Sequence, residues 1–301
     1  MHIPPGRRKS YYLLIILFII PLMVLPGYMA WEAGTPVITR LQIPDGPEGI
    51  VFIADPHIKD ENIEIIRTVI SAINKAHPNL VLIGGDFTGQ GEGTVSLQEI
   101  WREVDAPVYA VLGNHDYNVG IQGSGPEGRM AWVMESILRS QGYNASPLYS
   151  DPDLSSADLL EDVLEKNGVT VLRNEWTELD INGQSVILCG VDDIWAGRAD
   201  PPTLPDNGAY VMYLVHEPFY REEWNADLIL SGHTHGGQVG NGIFVLLDTA
   251  GIVDIKGLSK KDDTILYVTR GIGSSQKGDD YRLFTSPEIV FMNAGEAGKR
   301  G

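Results

Sequence analysis

The chain has 301 residues, enough for one good-sized α/β core with small additions. Its 43% hydrophobic content is that of a globular protein and excludes an intrinsically disordered chain. Lys and Arg total 22 against 40 Asp and Glu, and the formal net charge of −18 disfavours non-specific nucleic-acid binding. The single cysteine, Cys189, excludes an intramolecular disulfide and is expected in the core.

The N-terminus resembles a membrane anchor. Three basic residues at 7–9 precede an uncharged stretch over 10–31, in which 11–30 would form a helix about 30 Å long, enough to span a bilayer. The alternative is a cleaved signal peptide, but 28–30 fits a small-residue cleavage site poorly. We expect residues 1–31 to be a cytoplasmic tail and single transmembrane anchor. The positive-inside rule then places the rest of the chain on the non-cytoplasmic side.

The remaining chain divides by composition into a linker, a domain and a tail. Prolines and glycines among charges favour a linker over 32–48, followed by a folded domain over 49–293 and a tail over 294–301. Alternating apolar runs and helical patterns in the domain are typical of an α/β layered fold. The predicted strands are 50–54, 80–83, 107–112, 169–172, 185–189, 210–215, 227–230, 243–247 and 265–269. The predicted helices are 61–75, 95–103, 129–140 and 156–167, the last capped by Ser155 or Ser156.

Polar side chains follow the first three predicted strands. They are Asp55 and His57, then Asp86, then Asn114, His115 and Asp116. Because strands of an open α/β sheet deliver their carboxyl ends to a shared crevice, we expect these segments to converge. Residues two apart in extended chain point the same way, so Asp55 and His57 can face one ion together.

Two later segments extend this pattern. His216 ends the run 210–215, and His233 and His235 follow the run 227–230 in a glycine-rich segment. Five of the seven histidines of the chain therefore lie at the ends of predicted strands. This concentration is hard to reconcile with ordinary core or surface placement.

This ordered set of segments resembles the calcineurin-like metallophosphoesterases, from about Ile50 to Phe291. Within that superfamily it is most similar to small membrane-associated phosphoesterases of bacteria and archaea. The resemblance implies an α/β fold with a two-sheet sandwich flanked by helices, here preceded by one N-terminal transmembrane helix. It also implies two metal ions at the strand ends.

The resemblance implies a role for each of these side chains. The first metal would be held by Asp55, His57 and His235, the second by Asn114, His216 and His233, with Asp86 as the bridge. Oxygen and imidazole ligands without thiolate suit manganese, iron or zinc.

The resemblance leaves His115 free over the substrate. We therefore expect His115 to be the general acid for the leaving oxygen, while a metal-activated hydroxide attacks phosphorus. Asp116 either orients His115 or is a cap or turn residue.

Three further residues are candidates for contact with the phosphate: Arg198, Gln238 and Arg270. For Arg198, a salt bridge to Asp192 or Asp193 is an equally open interpretation. Residues 117–168 are expected to overhang the site and to shape its substrate specificity.

The expected activity is hydrolysis of phosphomonoesters or phosphodiesters, on a phosphorylated small molecule or lipid. Protein dephosphorylation is disfavoured. In phosphoprotein phosphatases of this superfamily, an aspartate, an arginine and a glycine follow the segment of the bridging aspartate, whereas here Phe87 and Thr88 follow Asp86. A non-catalytic metal-binding scaffold and a nuclease remain the alternatives. No protein partner is evident.

Overall fold

The computed structural model describes residues 20–89, 94–122, 125–140, 145–238, 242–275, 278 and 280–293. Within these residues the α-helices are α1 (Ile20–Ala33), α2 (Ile63–Ala76), α3 (Gly125–Ser140), α4 (Leu154–Lys166) and α5 (Gly242–Thr249). The first six strands are β1 (Val37–Leu41), β2 (Ile50–Ile53), β3 (Leu80–Gly84), β4 (Val108–Val111), β5 (Val169–Val171) and β6 (Glu175–Ile181). The others are β7 (Gln184–Gly190), β8 (Tyr210–Leu214), β9 (Leu228–Ser231), β10 (Gly257–Lys261), β11 (Thr264–Val268) and β12 (Glu288–Met292). Short 3₁₀ helices include Ser96–Glu103 and His235–Gly237.

The strands form two six-stranded mixed sheets. The first has the order β1-β12-β2-β3-β4-β5 and the second β10-β11-β9-β8-β7-β6. Strands β2 to β5 run parallel to one another, as do β7, β8, β9 and β11. The parallel strands of each sheet therefore end at one edge, and the expected two-sheet α/β fold is confirmed.

One of the two large hydrophobic cores lies between the two sheets. Phe52 and Leu82 of the first sheet pack there with Leu188 and Leu214 of the second, all four without exposed surface. The alternate residues of β2 face a second core beneath α2 and α4. Since both faces of these strands are buried, they appear in the sequence as continuous apolar runs. This explains why such runs located most of the strands.

The prediction of a strand over 243–247 was wrong, because these residues lie in helix α5. A short apolar run cannot be assigned by periodicity alone. Here the tertiary packing decides, since Leu247 packs with Trp132, Val253 and Ile255 in a small cluster of its own.

The linker expected over 32–48 contains strand β1, which pairs in parallel with β12. The turn after β1 is fixed by the side chain of Asn293, whose amide donates to the carbonyl oxygens of Ile43 and Gly46, both at 2.9 Å. The prolines and glycines of this segment therefore form a turn held against the sheet rather than a flexible tether.

Two smaller expectations also differ from the structure. The N-cap of α4 is Asp153, which accepts a hydrogen bond from the backbone N–H of Ser156 at 3.1 Å, instead of Ser155 or Ser156. Strands β6 and β10 were not predicted, because their half-exposed alternating residues form no apolar run.

No helix in the described part of the chain combines the length and apolar character needed to cross a bilayer. The predicted span over 11–30 falls only partly within this part. Its residues from Ile20 onward lie in α1, whereas 11–19 lie outside the described residues.

We expect Leu188→Ala to lower the free energy of unfolding by about 2–5 kcal/mol, because it leaves a cavity between the sheets. Leu159→Ala on α4 is the control, since Leu159 is 55% exposed. Urea unfolding followed by tryptophan fluorescence measures both variants. Equal losses would contradict the assignment of Leu188 to a close-packed core between the sheets.

Candidate functional site

All seven side chains expected to bind metal come together at the carboxyl ends of β2, β3, β4, β8 and β9. They are Asp55, His57, Asp86, Asn114, His216, His233 and His235. Six are at most 8% exposed, and His233 is half-buried. The parallel strands of the two sheets thus deliver ligands to one place, as the alternation of strands and helices predicts.

The first cluster of donors consists of Asp55, His57, Asp86 and His235, and their donor atoms lie within 4.8 Å of one another. The Nε2 atoms of His57 and His235 are 3.2 Å apart. His57 Nε2 lies 3.4 Å from an oxygen of Asp86. Ligands bound to one ion at about 2.0–2.1 Å lie roughly 3.0–3.4 Å apart, so this spacing fits a shared cation.

The second cluster has the same spacing. Asn114 Oδ1 lies 2.9 Å from His233 Nδ1 and 3.2 Å from His216 Nε2. His216 Nε2 lies 3.3 Å from an oxygen of Asp86. These contacts define a second group of donors suited to one divalent cation.

Asp86 belongs to both clusters through a single oxygen atom. Its Oδ2 is the atom that approaches both His57 and His216. Its Oδ1 instead accepts a hydrogen bond from the backbone N–H of His115 at 2.9 Å, which fixes the carboxylate in this orientation. The geometry therefore suits a carboxylate shared by two ions.

Backbone carbonyls orient three of the histidines. In each, Nδ1 donates to a carbonyl oxygen and leaves the Nε2 lone pair facing the site. The pairs are His57 with Thr88 (2.8 Å), His216 with Gly84 (2.7 Å) and His235 with Gly273 (3.1 Å).

Five of the seven residues have a left-handed backbone. Their φ angles are 53° for Asp55, 38° for His57, 57° for Asp86, 69° for His233 and 50° for His235. Such angles are uncommon outside glycine and concentrate at functional sites. Asp55 and His57 therefore reach the same cluster through tight turns, and not along extended chain as the sequence argument assumed.

Burial and mutual charge set the protonation of these side chains. Burial lowers the pKa of His57 to about 3, so this imidazole is neutral and able to bind metal at pH 7. Burial opposes ionisation of Asp86, but the imidazoles of His216, His115 and His57 outweigh it and hold the pKa of Asp86 well below its usual range. Burial raises the pKa of Asp55 to about 7.

His115 and Asp116 lie beside the clusters with different surroundings. The half-buried ring of His115 stands edge-on to that of His57, with centroids 5.1 Å apart. The carboxylate of Asp116 accepts from the backbone N–H groups of Gly113 and Thr88, both at 2.9 Å. Asp116 therefore joins the loops after β3 and β4, which supports the turn interpretation.

A cavity of about 270 Å³ opens at these clusters. Its lining includes Asp86, Asn114, His115, His233, His235 and Gln238, together with Trp132 and Trp195. The ring of Trp195 packs edge-on against His233 at a centroid distance of 4.6 Å. Neither tryptophan was among the predicted site residues. Only the position of Trp132 within residues 117–168 pointed to it.

The side chain of Glu135 fixes the ring of Trp195 through a hydrogen bond. This carboxylate has no exposed surface and accepts hydrogen bonds from Trp195 Nε1 at 3.1 Å, Tyr149 Oη at 2.9 Å and Arg139 Nε at 2.8 Å. Because Glu135 lies on α3, one wall of the cavity is tied to the predicted substrate-shaping segment.

The three predicted phosphate contacts have different surroundings. Gln238 lines the cavity, and its Nε2 donates to Ser274 Oγ at 2.8 Å. Arg270 forms an ion pair with Glu288 at 3.1 Å instead of lining the cavity. Arg198 is exposed and also lies outside the lining. The ion pair expected between Arg198 and Asp192 is made by Arg173, at 3.3 Å.

Comparisons with known proteins agree with this geometry. The phosphodiesterase YaeI of Escherichia coli is 27% identical over 82% of each chain. The metallophosphoesterase YkuE of Bacillus subtilis is 26% identical over 82% of this chain and 80% of its own. The UDP-2,3-diacylglucosamine pyrophosphatase LpxG of Chlamydia muridarum is 25% identical over 81% of this chain and 82% of its own.

A family model described as calcineurin-like phosphoesterase matches residues 49–237, which include all seven clustered side chains. More than half of the chain is covered by this match. The chain therefore belongs to the calcineurin-like phosphoesterases and is a metal-dependent phosphoester hydrolase.

Proposed function

We propose that the chain hydrolyses phosphodiesters at a site with two divalent cations. The observation that carries this proposal is the position of Asp86 Oδ2, within 3.4 Å of both His57 Nε2 and His216 Nε2. A single carboxylate oxygen between two donor clusters suits a pair of ions, because the clusters share no other atom. Manganese, iron or zinc fits the mixture of imidazole and oxygen donors.

The first ion is assigned to Asp55, His57, Asp86 and His235, and the second to Asp86, Asn114, His216 and His233. When bound, such ions acidify a water molecule and neutralise the charge on the phosphoryl oxygens. The chain contributes rigid donors, since carbonyl oxygens and backbone N–H groups fix their orientation before any substrate arrives.

His115 is assigned as the general acid. Its backbone N–H is anchored on Asp86, and its half-buried ring lies in the cavity lining. From this position an imidazolium can donate a proton to the departing ester oxygen. Asp116 is assigned a positioning role, since it braces the loop that carries His115.

A diester fits the cavity better than a monoester does. Among the described residues that line it, none is Lys or Arg, so no side-chain cation adds to the two metal ions to hold the extra charge of a monoester dianion. The two tryptophans offer apolar surface for a second ester substituent. The names of two relatives support a diester substrate. One relative is a phosphodiesterase, and the other is a pyrophosphatase of a diacylated sugar nucleotide.

We further propose that residues 1–31 anchor the chain in a membrane, with the catalytic domain on the non-cytoplasmic side. The support is the sequence: basic residues at 7–9 precede an uncharged stretch over 10–31, and Glu32 is the first charge after it.

Metal affinity should rise with pH in the range below about 7. In the metal-free chain Asp55 is protonated below pH 7 and must lose this proton to bind an ion. For this one proton, affinity for Mn²⁺ should increase about tenfold per pH unit, since one pKa unit corresponds to about 1.4 kcal/mol. Calorimetry in buffers of different ionisation enthalpy measures the proton release.

The variant Asp55→Asn should bind metal more weakly and release one proton fewer, whereas Asp151→Asn should behave as wild type. A constant affinity between pH 5.5 and 7 would contradict this assignment.

The substitutions Asp86→Asn and His115→Ala should separate metal binding from proton donation. Asp86→Asn removes charge from the shared ligand and should deplete metal and abolish activity on all diesters. His115→Ala should keep its metal and lose on the order of 10²–10⁴ in rate on alkyl diesters, whose leaving groups need a proton. On nitrophenyl diesters, which leave without protonation, the loss should be much smaller.

Metal content and rates on both substrate types measure these effects, with exposed His77→Ala as the control. Equal losses on both substrates, or depleted metal in His115→Ala, would overturn the general-acid assignment. Full activity of demonstrably metal-free protein would overturn the proposed function itself.

Protease added to intact, wall-stripped cells should cut the catalytic domain if it lies on the non-cytoplasmic side. Immunoblotting of the full chain measures the cleavage, and a cytoplasmic marker protein is the control for cell integrity. Cleavage only after lysis would show that the proposed orientation is incorrect.

A further inference from the structure

Exposed apolar side chains concentrate on four segments of the described structure. Of its seventeen exposed large apolar residues, twelve lie on α1, α3, the segment 245–252 and the segment 281–284. We call this set the apolar rim. It consists of Met23, Val24, Leu25, Tyr28, Trp31, Met130, Met134, Val245, Leu246, Ile252, Tyr281 and Phe284.

The segments of the apolar rim adjoin the metal cavity. Gln238, which lines the cavity, donates to the carbonyl of Tyr281 at 3.2 Å and accepts from the backbone N–H of Leu283 at 3.3 Å. On another side of the cavity, Trp132 of α3 lines the cavity and packs against a small cluster of Val253 and Ile255. Leu247 of α5 packs against the same cluster. Helix α3 therefore both walls the cavity and carries exposed rim residues, and α5 adjoins it through this cluster.

Helix α1 is fixed to the same region. The side chain of Glu32 is 3% exposed and accepts from the backbone N–H of Phe284 at 2.9 Å and from Ser286 Oγ at 3.1 Å. The ring of Tyr28 lies against that of Phe284, with centroids 6.2 Å apart. The last turns of α1 are thus held against the rim, with a defined orientation relative to the cavity.

Arg282 connects this attachment to the metal donors. Its backbone N–H donates to the carbonyl of Met29 in α1, at 3.2 Å. Its buried guanidinium donates at 2.6 Å to the carbonyl of Gly273, the same oxygen that orients His235. One buried residue therefore contacts α1 through its backbone and, through its side chain, the carbonyl that orients a metal donor.

We propose that the apolar rim is a membrane-docking surface, which places the mouth of the metal cavity against the lipid headgroups. A bilayer is the occupant that fits, because α1 continues an uncharged sequence that begins at residue 10. Tyr28, Trp31 and Tyr281 are of the two amphipathic aromatic types enriched at the boundary between lipid and water. Given the proposed function, the substrate would be a phosphodiester held in the membrane by a lipid chain.

Fluorescence quenching on the full-length chain tests this docking without any catalysis. A fluorophore is placed at Phe284→Cys, Leu246→Cys or Met23→Cys in metal-free protein, reconstituted in phosphatidylcholine vesicles with lipids nitroxide-labelled at several depths. The control is Leu159→Cys on α4, which packs beside β5 at the far edge of the first sheet. Leu159 is 55% exposed, against 71% for Leu246 and 75% for Phe284. Cys189 has no exposed surface, so wild type gives the labelling background.

Labels at positions 284 and 246 should be quenched, with depths of about 5–10 Å into the boundary between headgroups and acyl chains. The label at 159 should not be quenched. Quenching at 23 alone would show an inserted helix with the domain held away from the bilayer, and would overturn the proposal. Absence of quenching at every position, or equal quenching at 159, would overturn it as well. Self-association that protects position 284 without lipid quenching would assign the rim to a second copy of the chain. Because no turnover is measured, each result is independent of the proposed activity.

Discussion

The site depends on one buried carboxylate between imidazole rings. Asp86 is 1% exposed, and burial of its charge is costly unless positive charge lies nearby. His57 and His216 approach the same oxygen from two sides, while the backbone of His115 holds the other oxygen. In the metal-free chain the pKa of His216 is raised well above its usual range, because the Asp86 carboxylate outweighs the effect of burial.

The surrounding fold keeps this arrangement close-packed. Gly113 follows β4, and a Cβ atom at this position would lie 2.4 Å from an oxygen of Asp86. Only glycine lets the loop after β4 pass so near the carboxylate. Asp116 joins the same loop to the one after β3. The left-handed turns at the strand ends therefore persist because neighbouring loops leave no other space for them.

The sequence identified the metal-donor residues better than it predicted the backbone conformation that brings them together. Continuous apolar runs identified most central strands, because both faces of these strands are buried. The order of polar residues after those runs then indicated which side chains converge. The left-handed turns at Asp55 and His57 could not be predicted, since they result from contacts with loops distant in sequence.

Edge strands and cavity walls were harder to predict for the same reason. Strand β1 lies in a segment rich in turn-forming residues, and its neighbour in the sheet is β12, about 250 residues later. Helix α5, which covers 243–247, depends on packing between segments distant in sequence. The cavity wall formed by Trp132 and Trp195 depends on such packing as well. Such contacts cannot be predicted from the composition of either segment alone.

The position of β12 has a consequence for biosynthesis. This strand is inserted between β1 and β2, the first two strands of the described residues. Until β12 leaves the ribosome, β1 lacks its neighbour and β2 has one open edge. Such edges invite pairing with other chains, so the interval before β12 emerges is a stage exposed to aggregation. A premature stop shortly before Glu288 would retain all seven clustered donors and still leave the first sheet unfinished. The first sheet is thus completed only after β12 has been synthesised.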